Sequence, residues 1–437
     1  MTDRLRNRWR RTLAGAAAVV AAGALTTAPA ASAAEVPDAF TIAGSGYGHG
    51  VGMAQYGAYQ LAREGASAVR ILKHYYRGGD VLYKTTPKYI AVQVHGPEPY
   101  GFAGYGDTAR TTTVTVTGGQ WRLRTTDART LVSGSGTGRL TVTTEDGRVK
   151  VTVGDRTFRA RTLRIAWSGT EHWRPTGAKA VATVKGAHGS YRNGRLELTA
   201  SRGIPNIVNE VRFNTEYLYG IAEMPSSWGL SGGDRALRAQ AMTARSYALT
   251  KPTRNTLCNC NVVDDVRDQY YSGWKKENEG TGGRYGALWK AAVNATVQST
   301  TVGRVLTYRG APVTAHYYSS SGGRTANSEE VWASVVPYER SVADPYSLTA
   351  PGNGYRSWTR TLSQAQARTL FGLPDVVSVR VTARWTSGQA RTLTATASDG
   401  TTAVVTGKAD QVRSAVGRRT TAGSMPAAWI TSIRAAA

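Results

Sequence analysis

The sequence predicts an α+β fold: a mixed helical and β central domain, with an antiparallel β insertion before it and a β-rich C-terminal segment after it. Three observations carry this. Residues 81–200 alternate Thr, Val and Arg with period two, as in "TTTVTVTGG" and "RVKVTVGDRTFRARTLRIAW". The run "DRALRAQAMTARSYALTKP" instead places Leu237, Ala241, Ala244 and Ala248 on one helical face, and Pro252 stops it. Beyond residue 346 the period of two returns in "VVSVRVTARW" and "ARTLTATASDGTTAVVTG".

In chain order, residues 1–33 carry five arginines, an Ala/Val/Leu run and the small-residue site Ala31-Ser32-Ala33, which reads as a secretory signal peptide. Arg10-Arg11 leaves the general and the twin-arginine export routes both open. No later stretch approaches about 18 uninterrupted apolar residues. The expectation is an exported, secreted protein. Residues 36–80 hold a short strand at Phe40–Ile42, a glycine-rich loop, a helix from about Met53 to Glu64, and a second helix with Val69, Ile71, Leu72 and Tyr75 inward. In the insertion at 81–200, Asp146-Gly147 and Gly154-Asp155 sit between alternating runs, as hairpin turns do.

Within 201–345, Asn214 caps a predicted short helix through Tyr217, Leu218 and Ile221 that Pro225 ends. The "DRALRAQ" helix follows, then a third helix at about Ala287–Thr296 and the predicted strands "RVLTYRG" and "PVTAHYYSSSGG". Residues 346–437 are β-rich around a short helix at Ser363–Leu370. The formal charge of +25 falls to +21 without the five Arg and one Asp of residues 1–33. Such an excess suits a polyanionic neighbour. No nucleic-acid-binding motif appears and the arginines are scattered, so anionic wall polymer or membrane surface fits better than DNA. The two cysteines, Cys258 and Cys260, are no disulfide scaffold; an oxidising compartment permits a bond between them in a tight C-x-C ring.

The segments "YLYGIAEMPSSW", "RALRAQAMTARSYAL", "VLTYRGAPVTAHYYSSSGGRTANSEEVW" and "PYERSVADP", with "GYGHGVGMAQYGAYQLA" and "ILKHYYRGG", resemble the SpoIID/LytB family of cell-wall proteins. In many relatives the Gly-His-Gly block follows the central domain; here it comes first. The resemblance implies binding to peptidoglycan glycan strands, and in one branch their cleavage as a lytic transglycosylase with the Glu of the E-M-P motif as catalytic acid, here Glu223. The other branch of the family name implies a non-catalytic enhancer with a cell-wall amidase as partner.

Residue chemistry bears on the same position. A hydrolytic glycosidase uses two carboxyl groups within about 5–9.5 Å, and near Glu223 the sequence offers no obvious second acid; Glu216 is seven residues earlier and Asp234 opens the next helix. A lytic transglycosylase needs one acid only. Glu223 would have to stay protonated, which the apolar side chains of Ile221, Met224, Pro225 and Trp228 favour. Candidate substrate-binding residues are Gln240 and Arg245 on the long helix, Ser320 and Ser321 at a strand end, and His49 in the glycine loop. Tyr317, Tyr318 and Trp332 are candidates for stacking on sugar rings. Some relatives carry a metal after the long helix; here that stretch has Cys258, Cys260, Asp264, Asp265 and Asp268 but no histidine, so neither metal nor other cofactor is expected. Gly229-Leu230-Ser231-Gly232-Gly233 fits G-x-S-x-G by position, but no strand leads into Ser231.

Overall fold

The alternating segments build one eleven-stranded sheet in the computed structural model, which describes residues 35–332 and 334–436. The segment read as a signal peptide lies outside the described residues. The sheet runs from the short strand Val262–Val263 through Tyr89–His95, Ile204–Arg212, Arg195–Ser201 and Leu163–Trp167 to Thr111–Arg124, then through the meander Thr130–Glu145, Arg148–Val153 and Arg156–Ala160. All these pairings are antiparallel except that of Val262–Val263 with Tyr89–His95. One face buries Val114, Leu123, Leu140, Val151, Ile165, Leu196 and Leu198; the intervening Thr and Arg residues lie opposite. Asp146 and Gly147 both take positive φ, 48° and 69°, the paired left-handed geometry of a tight hairpin. The strands at 111–201 therefore extend the sheet that holds Ile204–Arg212, while Gly79–Thr85 pairs elsewhere, with Val302–Tyr308.

The helix Asp234–Leu249 is buried along most of its length. Alanines at 236, 239, 241, 244 and 248 keep it thin, so the helices Gln55–Arg63, Ala68–Tyr75 and Arg284–Asn294 and the strand Val302–Tyr308 surround it. Ala68–Tyr75 buries Ile71, Leu72 and Tyr75, with Val69 half-buried.

The two ends of the described chain meet. Ala39–Ser45 is the central strand of a three-stranded sheet, between Trp358–Ser363 and Trp429–Ala435. Just after it, the glycine loop threads between Trp429 and the Tyr317–Tyr318 strand, which pairs in parallel with Met53–Ala54. At Gly52, φ is +78° and a Cβ would lie 2.0 Å from the carbonyl oxygen of His316, so no side chain fits there. The C-terminal segment adds the meander Ser378–Arg384, Ala390–Thr396 and Thr402–Thr406 and a helix at Gln364–Phe371 capped by Ser363.

The α+β class is as expected, and four local expectations are corrected. The helix before Glu223 starts at Phe213 after Arg212, not under an Asn214 cap, and opens as a π-turn, Phe213–Tyr217. It stops at Tyr219, because Ile221 and Ala222 turn to pair with Tyr270 and Tyr271. The third helix begins at Arg284, and most of "PVTAHYYSSSGG" is irregular around the two-residue strand Tyr317–Tyr318. A helix at Ala409–Gly417 has no counterpart in the sequence reading. Cys258 and Cys260 are joined by a disulfide.

Candidate active site

Glu223 stands in an irregular turn between the end of one short helix and the 3-10 helix Ser226–Ser231. Its position is set by three residues from distant parts of the chain, Tyr270, Gln55 and Lys276. The Tyr270 amide donates to Glu223 Oε1 at 2.6 Å, while the Ala222 amide donates to the Tyr270 carbonyl at 2.8 Å. Gln55 Nε2 donates to the Glu223 carbonyl at 3.0 Å, and Lys276 Nζ to the Met224 carbonyl at 2.7 Å.

The carboxyl group lines a groove of about 360 Å³ together with Gln55, Pro225, Ser319 and an arc of aromatic rings: Tyr47, Tyr56, Trp228, Tyr317, Tyr318 and Tyr355. Tyr47 and Tyr355 stack at 4.3 Å between centroids, both exposed at the rim, and Trp228 stacks on Tyr59 at 4.4 Å. Concave walls of aromatic rings with a few placed polar groups suit a sugar polymer, whose apolar ring faces pack on aromatics while hydroxyls find hydrogen bonds.

Burial pushes the proton affinity of Glu223 above that of an ordinary glutamate, and the Tyr270 amide, the Tyr317 hydroxyl and Lys276 each oppose the rise less strongly. Among the described residues that line the groove, Glu223 is the one acid. The Tyr317 hydroxyl accepts from Gln269 Nε2 at 2.9 Å, and Gln269 Oε1 accepts from the Tyr217 hydroxyl at 2.6 Å. With its acceptor site filled, the Tyr317 hydroxyl keeps its own proton free to donate toward the carboxyl group. Burial thus outweighs the three groups that favour the charged form of this carboxyl group.

The other sequence candidates fall into two groups. Gln240 stands behind Gln55: fully buried, its Oε1 accepts at 3.2 Å from the Gln55 Nε2 that also donates to the Glu223 main-chain carbonyl. Arg245 does not reach the groove. It is fully buried, and its guanidinium donates to Asn214 Oδ1 at 2.9 Å, Thr296 Oγ1 at 2.9 Å and the Arg304 carbonyl at 2.9 Å. The alanine-rich helix is wrapped on all sides, so neither residue lies on a solvated face. Ser320 and Ser321 are also fully buried: Ser321 Oγ donates to Asp344 Oδ2 at 2.7 Å, Ser320 Oγ accepts from Asn353 Nδ2 at 2.9 Å, and it is Ser319 that meets the groove.

His49 holds the glycine loop. Its Nδ1 accepts from the Val51 amide at 3.0 Å, so Nε2 carries the proton and donates to the Tyr317 carbonyl at 3.1 Å. Trp332 packs on His316 at 4.4 Å rather than lining the groove. Among the described residues no group of three or more His, Cys, Asp or Glu is arranged to hold a metal. Sequence reasoning missed Gln55, Gln269, Tyr270 and the Tyr47–Tyr355 pair. Only their polar or aromatic character in "GMAQYG", "DQYYSG", "GYGHG" and "GNGYR" marks them, and pairing across more than 45 positions is invisible to local pattern.

Residues 201–308 match a family model described as SpoIID, Stage II sporulation protein. The chain is 36% identical over 150 residues to the Amidase enhancer of Bacillus subtilis (strain 168), covering 34% of this chain and 17% of that protein. It is 30% identical over 181 residues to Stage II sporulation protein D of the same organism, covering 40% and 49% respectively. Stage II sporulation protein D of Bacillus amyloliquefaciens is 28% identical over 180 residues, covering 40% and 50%. The chain thus spans at most about half the length of these relatives.

Proposed function

Since the chain belongs to the SpoIID/LytB family through its central region, we propose that it is an exported cell-wall protein that binds peptidoglycan glycan strands and cleaves them as a lytic transglycosylase. The observation that carries this reading is the single carboxylic acid, Glu223, held with raised proton affinity in an aromatic groove.

In this mechanism the Glu223 carboxylic acid donates its proton to the oxygen bridging N-acetylmuramic acid and N-acetylglucosamine, and the glycosidic bond breaks. The carboxylate left behind takes the proton of the muramoyl C6 hydroxyl, whose oxygen closes on C1 as a 1,6-anhydro ring. One group serves as acid and then as base, and no water is consumed. General acid catalysis needs a pKa near the working pH, and desolvation of Glu223 moves it that way. The Tyr317 hydroxyl and the Tyr270 amide stabilise the transient carboxylate. Digestion of purified glycan strands should release 1,6-anhydromuramoyl ends seen by mass spectrometry, and Glu223→Gln should abolish them; ordinary reducing ends would sink the proposal.

A second reading rests on the relative named Amidase enhancer. The chain then binds the wall without cleaving it and stimulates a cell-wall amidase. Stimulation that survives Glu223→Gln, with no anhydro ends, would decide for it.

A further inference from the structure

The polar face of the large sheet carries more arginines than it has acids to pair with. On the strand Thr111–Arg124, Arg122 and Arg124 alternate with buried Trp121 and Leu123. Arg124 lies directly opposite Arg164 on Leu163–Trp167. Like charges facing across adjacent strands destabilise a sheet.

The acids of this face are already taken. Glu197 accepts from Arg164 at 2.9 Å and from Arg254 at 3.1 Å. Glu210 accepts from Arg195 at 2.6 Å and from Arg254 at 2.7 Å. Arg122 and Arg124, both half-buried, form no ion pair among the described residues, and the Nε of each has no hydrogen-bond partner. Burial and then Arg174 lower the proton affinity of Arg122; burial and then Arg122, Arg195 and Arg164 lower that of Arg124, with the loop acid Asp127 opposing more weakly than any of these.

We propose that Arg122 and Arg124 form the centre of a binding face for a linear polyanion bearing phosphodiester groups, as anionic wall polymers do. An anion bridging the two guanidiniums relieves the repulsion that the fold leaves in place and gives each planar fork a charge-assisted partner. Charge complementarity alone would also admit single-stranded nucleic acid, whose binding rests on open aromatic platforms for its bases. The ring in this cluster, Trp173, already has the guanidinium carbons of Arg122 and Arg174 at 5.0 and 4.9 Å from its centroid. A polymer of phosphates without bases therefore fits better. This face is separate from the Glu223 groove, and binding here needs no bond cleavage.

The test uses the full chain and fluorescently labelled inorganic polyphosphate, titrated at several salt concentrations. Arg122→Gln/Arg124→Gln should weaken binding by at least about tenfold and flatten its salt dependence. The control Arg380→Gln/Arg384→Gln removes the same charge from exposed positions on Ser378–Arg384 and should change binding less than about twofold. The melting temperature of the first variant should equal or exceed that of the wild type, since a repulsion is removed; Arg124→Gln alone should give a smaller loss of affinity. Equal weakening by both double variants would reduce the effect to net charge and overturn the proposal. So would undiminished binding by Arg122→Gln/Arg124→Gln, or a single-stranded oligonucleotide that binds more tightly than polyphosphate.

Discussion

The Tyr270 amide meets the Glu223 carboxyl oxygen at 2.6 Å across 47 residues of chain. It belongs to a loop after the long helix whose neighbour, Gln269, orients the Tyr317 hydroxyl. Acid, amide and hydroxyl thus come from three separate segments, and the chemistry of the groove depends on how they balance.

That balance sets a pH dependence. In the proposed cleavage the protonated Glu223 is the active form for the first step, and its affinity for the proton is raised. Cleavage should therefore persist above the ordinary glutamate range of about 4.3 and fall as pH climbs through the elevated value. Stability follows the same sign: relative to an unfolded chain, the raised group contributes most below its unfolded pKa, and that contribution is lost as pH rises through the folded one. Glu223→Gln should abolish cleavage yet remove this loss. Melting curves of both proteins from pH 4 to 8 would expose the difference; parallel curves would mean a solvated acid.

Tyr317→Phe deletes a hydroxyl that favours the charged carboxylate. The alkaline limb of the rate profile should move to higher pH, and kcat should fall by at least about tenfold because the second step needs the carboxylate. A drop in rate with an unmoved limb would assign Tyr317 to packing alone.

The Tyr47–Tyr355 stack lines the rim, away from the acid's own contacts. Tyr47→Ala should raise KM for long glycan strands several-fold, by about 1 kcal/mol of lost stacking, with kcat little changed. Isothermal titration with the Glu223→Gln protein would measure the loss without turnover.

Arg245→Met strips four acceptor contacts of their donor, on Asn214, Thr296 and Arg304. Loss of about 3 kcal/mol in a urea titration is expected, since the carbonyl and amide oxygens stay buried. A variant as stable as the wild type but with raised KM would return Arg245 to the groove.

Much of the scaffold was legible because it rests on local pattern. The Thr/Val alternation, the Asp146-Gly147 turn and the alanine-lined helix at 234–249 all follow from period and turn chemistry. What failed was orientation. "AQAMTARSY" reads as half polar, yet Gln240 and Arg245 are fully buried because four elements close around the helix and supply their partners. Pro225 reads as the stop of a helix reaching Glu223, whereas pairing of Ile221 with Tyr271 ends the helix earlier. The neighbours of Glu223 in sequence are apolar; Tyr270, Tyr317 and Lys276, which tune it, come from far along the chain.

Residues 39–45 find both hydrogen-bonded neighbours only after position 357, and one of them only at 429–435. A chain made amino end first must keep that segment waiting until residues 358–363 and 429–435 have followed it. The glycine loop that follows it, and with it one wall of the groove, cannot take its final form until the last strand arrives. Late assembly of this kind keeps the Glu223 groove incomplete until both partner strands have been delivered.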